Sequence, residues 1–432
     1  MKKTNRVFTP STVAVNSFIE RDYRTVNQLV DALNTPGKQI VIYGYSGCGK
    51  STLLYNKLNQ VYENSITTRC MSGMTYENII IDAFDKMDDI IKDTGTEKSF
   101  TIKPEVSVEY AEIKSSVSLF EYKSKKSENS KEILAPQLTA SRLGKFFGEA
   151  NCCWVLEDFH KITGDDKVKI SQLMKIFMDM AVDYPELKII ALGAVGTARE
   201  VVLYDHELNN RVSEVLVKPM EKDEIKEIIS SGEKQLNVKF SESQKNRIAE
   251  YSCGLPSICH QLCLNVCFIN KVYETQKYLK AFTDEDLDQA IEKMIEEKAD
   301  SYKSEYSIAV KDESGTEPNP YKEIIKSALT LNKTGFSIEE ITGSLKGKVD
   351  DLRGKLDELS SVERAEILIY NEVTSTYRFN NLFIKNYALM NLSQASGSEN
   401  LILLKEQGSI NKLLDIIHKD LGDEFEDILF EE

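Results

Sequence analysis

The residues best placed to do chemistry lie between Gly44 and Thr52. Gly44-Tyr45-Ser46-Gly47-Cys48-Gly49-Lys50-Ser51 has the form G-x-x-x-x-G-K-[ST], with Thr52 next in line. It follows the apolar run QIVIY and precedes the helix-forming STLLYNKLNQ, the strand–loop–helix setting that a phosphate-binding loop requires. Glycines let backbone N–H groups curl around a phosphate without side-chain obstruction. Lys50 is expected to reach the β- and γ-phosphates, Ser51 to ligate Mg²⁺ through its hydroxyl, and the helix N-terminus to add partial positive charge.

Such a loop needs an acidic strand end to hold the metal shell and polarise water. Cys152-Cys153-Trp154-Val155-Leu156-Glu157-Asp158 supplies an apolar run and then two acids, about 100 residues downstream. Glu157 is expected to take Mg²⁺ through water, and Asp158 to orient or deprotonate the attacking water. An aspartate base has a short reach, so slow turnover is expected.

The elements that must position these groups read as an α/β domain. Over residues 14–218, short β-rich runs (QIVIY, CWVLE, KIIALG) alternate with helical stretches, indicating βαβ units and a parallel sheet. The phosphate-loop domain is placed at 1–218, interrupted at 95–135 by a segment whose period-two pattern predicts a two-stranded excursion and a polar loop. Residues 219–302 read as helical, 303–320 as a polar linker ending in prolines, and 321–392 as helix–helix–helix–hairpin, the order of a winged helix. The tail 393–432 carries ten acids against three lysines and an apolar stripe, so it reads either as a solvating tail or as a docking helix.

Composition bounds the remainder. The 432 residues exceed one ordinary core and suggest roughly two to four domains. No apolar run approaches the roughly 18 residues needed to cross a bilayer, and MKKTNRVFTPST lacks the apolar stretch of a secretory signal. Eight cysteines without a Cys-x-x-Cys pair fit reduced thiols in a cytoplasmic protein. Cys259, Cys263 and Cys267, four apart with His260 beside the first, read as core packing ahead of a metal site. A net charge of −15 is a poor field for holding a nucleic-acid backbone.

With these residues in view, the chain resembles P-loop NTPases of the AAA+ class, in the STAND group, near origin-recognition initiators and archaeal ATPases, over about 14–390. The resemblance implies a parallel-sheet core, a helical lid and a C-terminal winged helix, with ATP and Mg²⁺ as cofactors. Phe18-Ile19-Glu20-Arg21-Asp22 sits where such proteins carry a Phe-x-Gly-Arg-Glu box near adenine, which puts Arg21 at the base, with Glu20 in place of the glycine. Gly196 and Thr197 fall at a γ-phosphate sensor position. Asn209-Asn210-Arg211 resembles the segment that supplies an arginine to the γ-phosphate, in cis or to a neighbouring subunit, although a surface arginine before a strand would look the same. Gly254-Leu255-Pro256 matches the Gly-x-Pro of STAND lids, placing Pro256 on the base side, although a helix-stop signal alone also explains it.

The resemblance implies an ATP-hydrolysing switch, acting through self-assembly into a homo-oligomer or through a separate effector protein, with antiviral defence a common setting in that group. One alternative is a DNA-binding ATPase working through the winged helix; another is a scaffold that binds ATP without turning it over. Between Tyr321 and Leu392, ten basic residues face ten acids, and KVDDLRGKLDEL carries four acids against three bases, which disfavours DNA.

Overall fold

The computed structural model describes residues 1–62, 64–92, 104–125, 138–194, 211–297, 299–312, 318–331, 335–345, 349–372 and 374–396. They divide into two compact units: Thr9–Ile228, and Met1–Phe8 together with the chain from Ile229 onward.

The first unit is built on a five-stranded parallel sheet. Its strands are β1 (Gln39–Tyr43), β2 (Asn64–Arg69), β3 (Cys152–Glu157), β4 (Lys188–Gly193) and β5 (Val212–Leu216), in the spatial order β2-β3-β4-β1-β5. The three central strands are almost wholly buried, as parallel strands covered on both faces must be, and these are the three legible as apolar runs. The edge strands NSITTR and VSEVL alternate buried with solvent-facing residues, so they carry no continuous apolar signal. The core gathers on Trp154, whose ring stacks on Phe147 at 5.4 Å and lies 6.2 Å from Phe177, and whose Nε1 donates to Thr68 Oγ1 at 3.0 Å. Because all five strands run the same way, Tyr43, Arg69, Glu157, Gly193 and Leu216 end along one edge, where ligands of open α/β sheets bind.

The excursion expected at 95–135 is corrected where the structure describes it: Pro104–Lys125 is a single helix. Val106, Tyr110 and Ile113 are buried at i, i+4 and i+7, a helical period, and Tyr110 donates its hydroxyl to the Phe84 carbonyl at 2.6 Å. Proline at the first helical position completes the start signal. Residues 95–103 and 126–135 of that segment lie outside the described residues.

The second unit holds the helices Glu242–Tyr251, Pro256–Ile269 and Asp284–Glu297, with two-residue strands Val238–Lys239 and Lys280–Ala281 paired in parallel. Helix Lys222–Leu236 spans the point where the units divide, ten residues beyond the expected limit at 218. The polar stretch expected to be a linker contains the helix Ser304–Ala309, which buries Tyr306 against Tyr387 (ring centroids 6.0 Å). Helices Pro320–Thr330, Ile338–Leu345 and Leu352–Leu359 follow, then the antiparallel hairpin Leu368–Asn371 with Thr376–Phe379, and helix Leu382–Ser396. Two acids of the segment KVDDLRGKLDEL serve internal contacts: Tyr377 donates its hydroxyl to Asp357 at 2.7 Å, and Tyr321 donates to Glu358. Cys259, Cys263 and Cys267 are buried in their helix. The tail beyond Ser396 lies outside the described residues, among which no helix is long and apolar enough to cross a membrane.

Candidate active site

Gly44 continues β1 into the loop with φ +153°, Gly47 turns it at +76°, and Gly49 caps the helix Lys50–Val61 in the left-handed region at +90°. A Cβ on Gly44 would meet the Val217 carbonyl oxygen at 2.3 Å, so only glycine lets the loop leave the strand here. The fully buried Cys48 thiol donates to the Tyr45 carbonyl at 2.9 Å and the Val217 carbonyl at 3.3 Å. Burial pushes that thiol up, so it is a packing and hydrogen-bonding group.

Lys50 folds back over the loop, its ammonium donating to the carbonyls of Gly44 at 3.0 Å and Tyr45 at 2.8 Å. Burial lowers its pKa against the opposing pull of Cys48 and Asp158. Ser51 Oγ donates to Glu157 Oε1 at 2.9 Å, joining the loop to the end of β3. The other oxygen of that carboxylate faces Arg69 Nε at 3.5 Å; Arg69 and Glu157 are register partners across β2 and β3. The sequence reading passed over Arg69. Its signal is weak, because recognising it requires knowing that the polar run NSITTR is a strand ending beside CWVLE.

Asp158 sits in the left-handed region at φ +57°, an uncommon place for a non-glycine residue and one favoured at functional turns. Its carboxylate accepts from Lys161 Nζ at 2.6 Å. Thr52 Oγ1 accepts the Ala14 N–H at 3.3 Å, tying the helix to the incoming segment.

That segment explains the departure at Glu20. Glu20 pairs with Lys57, a buried lysine on the loop's helix that also lies 6.0 Å from the Phe18 ring. Beside it Arg21 is 7% exposed, donates one guanidinium nitrogen to the Lys218 carbonyl, and keeps Nη1 buried without a partner. A buried, unsatisfied guanidinium nitrogen calls for an acceptor, because leaving it unmade costs about 1–3 kcal/mol or more.

Arg211 is corrected as a supplier of charge in cis. Its carbonyl accepts the N–H of Gln39, the first residue of β1, whereas the phosphate loop follows Tyr43, the last. Four residues of strand separate them, about 13 Å at the usual rise. The guanidinium, 57% exposed, pairs with Asp179 at 2.9 Å. Within its own chain Arg211 therefore stands at the opposite edge of the sheet from Lys50, and cannot serve the γ-phosphate in cis. Asn209, Asn210, Gly196 and Thr197 lie outside the described residues. Pro256 opens the helix Pro256–Ile269 of the second unit, after Gly254 at φ +74°.

The residues present fit a magnesium nucleotide. The glycine turns leave room for backbone donors, an ammonium sits on the loop, a hydroxyl and a carboxylate meet as hard oxygen ligands, and a buried guanidinium nitrogen lacks an acceptor. Residues 18–262, more than half of the chain, match a family described as an ATPase domain predominantly from Archaea. No curated protein matches the chain significantly in sequence. Among solved structures, the chain is similar to a Walker-type ATPase of Pyrococcus abyssi (16% identity, TM-score 0.47, covering 88% of this chain and 99% of that one). It is also similar to Cdc6p of Pyrobaculum aerophilum (12%, 0.45, 94% and 98%) and to Orc1 of Aeropyrum pernix, solved in complex with DNA (13%, 0.43, 92% and 98%). The phosphate loop, the acidic strand end and the matched span agree: the chain is an ATP-binding P-loop ATPase and belongs to the family of ATPase domains found predominantly in Archaea.

Proposed function

We infer that the chain is a magnesium-dependent ATP switch of the STAND type, with slow turnover. The observation that carries this reading is the 2.9 Å contact between Ser51 Oγ and Glu157 Oε1. Both are oxygen ligands suited to Mg²⁺, and here they meet beside the ammonium of Lys50. Bound Mg·ATP would supply the γ-phosphoryl group and the charge neutralisation for its transfer to water.

The chain's own groups must exchange partners for that to proceed. Lys50 leaves the carbonyls of Gly44 and Tyr45 for phosphate oxygens. Ser51 and Glu157 separate to share a cation shell, with Arg69 keeping hold of the carboxylate's second oxygen. Asp158 takes the proton of the attacking water, which requires Lys161 to release it; that exchange is one source of slow turnover. Arg21 Nη1 gains an acceptor on the base side, and a role for Pro256 towards the base is what the STAND resemblance implies.

Differential contacts of the γ-phosphate bias two states, which the helical lid and the winged helix (the helices and hairpin of residues 320–379) would relay to a homo-oligomer or to an effector protein. Arg211, exposed at the far sheet edge, is available to a neighbouring subunit. Reduced thiols favour the cytoplasm, and prokaryotic antiviral defence is the setting that the STAND resemblance suggests. DNA binding, which one structural relative's complex invites, is disfavoured by the balance of ten bases and ten acids in 321–392.

The test measures mass by light scattering with ADP and with ATP·Mg²⁺, and phosphate released from the same samples, for wild type, Lys50→Ala and Glu157→Gln. The expected result is nucleotide-dependent growth in mass, absent in Lys50→Ala and persistent in Glu157→Gln. Phosphate release without any change in mass, alone and with candidate partners, would leave an ATPase that is not a switch.

A further inference from the structure

The second unit carries a surface with no role in nucleotide chemistry. Residues 1–4 run beside 273–275: Thr275 N donates to Lys2 O at 2.9 Å, Lys2 N to Thr275 Oγ1 at 2.8 Å, and Thr4 N to Tyr273 O at 2.9 Å. The same loop is pinned behind by Gln276 N on Leu236 O (2.8 Å) and Lys280 N on Asn237 O (3.2 Å), so it is a fixed platform. From it project Tyr273, Tyr278 and Leu279, 62%, 75% and 64% exposed, with Lys277 Nζ 5.4 Å from the Tyr278 ring. Single exposed apolar residues need no explanation, but three on one short loop are a patch.

Its charge is also out of keeping with the chain. Segments 1–8 and 270–281 hold Lys2, Lys3, Arg6, Lys271, Lys277 and Lys280 against Glu274 alone, a net of +5 in a protein of net −15. The converse composition lies at 420–432, DLGDEFEDILFEE, with seven acids and no base, a net of −7. Leu421, Phe425, Ile428 and Leu429 stand at i, i+4, i+7 and i+8 in it, a spacing suited to one apolar face.

We propose that the acidic segment 420–432 docks on the basic, aromatic platform of residues 1–8 and 270–281 in its own chain. Charge complementarity pairs the two, and the apolar residues of the tail match the exposed Tyr273, Tyr278 and Leu279. A polyanion such as duplex nucleic acid, whose bases are already stacked, would match the charge and leave the tyrosines and Leu279 unused. Tethering favours the intramolecular contact. Ser396 ends a helix of the same unit with only 23 residues between it and Asp420, so platform and tail share one chain and meet at the effective concentration that a short tether sets.

A photo-crosslinking amino acid at position 278 of the full chain tests this, with cross-links mapped by mass spectrometry. The expected cross-links join 278 to residues 420–432 within one chain. Their yield falls at least ~3-fold in 1 M NaCl, where the Debye length is about 3 Å, and in Lys271→Glu/Lys277→Glu. Restoring the charge match with Asp423→Lys/Glu424→Lys recovers the yield. Hydrogen exchange gives an independent reading, with amides of 420–432 slower in wild type than in Tyr278→Glu. Cross-links between two chains, cross-links to an added oligonucleotide in preference to the tail, or a tail whose exchange ignores Tyr278→Glu would each overturn the proposal.

Discussion

Gly44→Ala is a sharp test of how the phosphate loop is mounted. The added Cβ would stand 2.3 Å from the Val217 carbonyl oxygen and 3.3 Å from Cys48 Sγ, roughly 1 Å inside contact with the former. Val217 cannot yield cheaply. Its N–H donates to the Tyr43 carbonyl at 2.9 Å and its carbonyl accepts from Cys48. Holding alanine at φ +153° costs on the order of 1–3 kcal/mol. The overlap costs a further ~1–3 kcal/mol, and a lost strand hydrogen bond about 1 kcal/mol. A total of about 3–7 kcal/mol, at a urea dependence of roughly 2–3 kcal/mol per M for a unit of this size, lowers the midpoint by about 1–3.5 M. The chain has one tryptophan, Trp154, buried in the sheet unit, so its fluorescence reports the unfolding of Thr9–Ile228 alone. Gly73→Ala is the control: its φ is also positive, +80°, but an added Cβ meets nothing within 4 Å, so only the backbone cost of about 1 kcal/mol applies. If the midpoint of Gly44→Ala fell within about 0.3 M of that control, the contact with Val217 would not be what demands glycine.

Other consequences follow from the same site. Ser51→Ala removes a candidate Mg²⁺ ligand, so the half-saturating Mg²⁺ for ATP hydrolysis should rise at least ~10-fold, read by titrating the metal at fixed ATP. Arg69→Ala frees one oxygen of Glu157; we expect kcat to fall roughly 3–30-fold with KM little changed, and a rise in KM alone would mean that Arg69 touches nucleotide instead. Lys188 is fully buried, donates to the carbonyls of Ala32, Thr35 and Lys38 at 3.0, 2.8 and 2.9 Å, and is lowered by burial to about 8. Lys188→Met leaves those carbonyls without this donor and should cost about 2–4 kcal/mol near neutral pH. A depressed lysine pKa means that the unfolded chain binds the extra proton between about pH 8 and the ordinary 10.5, so wild-type stability gains on the methionine variant across that window. Urea midpoints of both proteins at pH 7.5 and 10 give the sign; a constant difference would refute it.

How much of this could be read in advance follows burial and spacing. The phosphate loop is local: eight consecutive residues fix glycine turns, lysine and hydroxyl, and the flanking strand and helix signals are equally local. Glu157 and Asp158 were legible because β3 is buried on both faces and ends abruptly in charge. Arg69 was not, since its contact with Glu157 depends on strand register across 88 residues of sequence. Arg211 shows the opposite failure. Sequence placed it just before a strand, but only the sheet direction reveals that the start of β5 is the wrong end for a contact in cis. The helix Pro104–Lys125 was misread because V-S-V alternation at its start outweighed the longer i, i+4, i+7 spacing of Val106, Tyr110 and Ile113. At Glu20, a mismatch to the family's glycine becomes intelligible once Lys57 is seen buried beside it.

The first eight residues belong to the unit that begins again only at Ile229, and Phe8 is the pin. Its ring takes the space a side chain at position 232 would need: a Cβ on Gly232 would lie 2.2 Å from Phe8 Cζ. Phe8 also lies edge-on to His260 at 6.1 Å. On the ribosome those partners arrive roughly 220–250 residues after Phe8. At about 5–20 residues per second, this apolar ring waits on the order of 10–50 s for its pocket. The sheet unit is complete in sequence before then, so the two units have different birth times. The N-terminal segment is a late-closing clasp, and until it closes the nascent chain carries an uncovered phenylalanine.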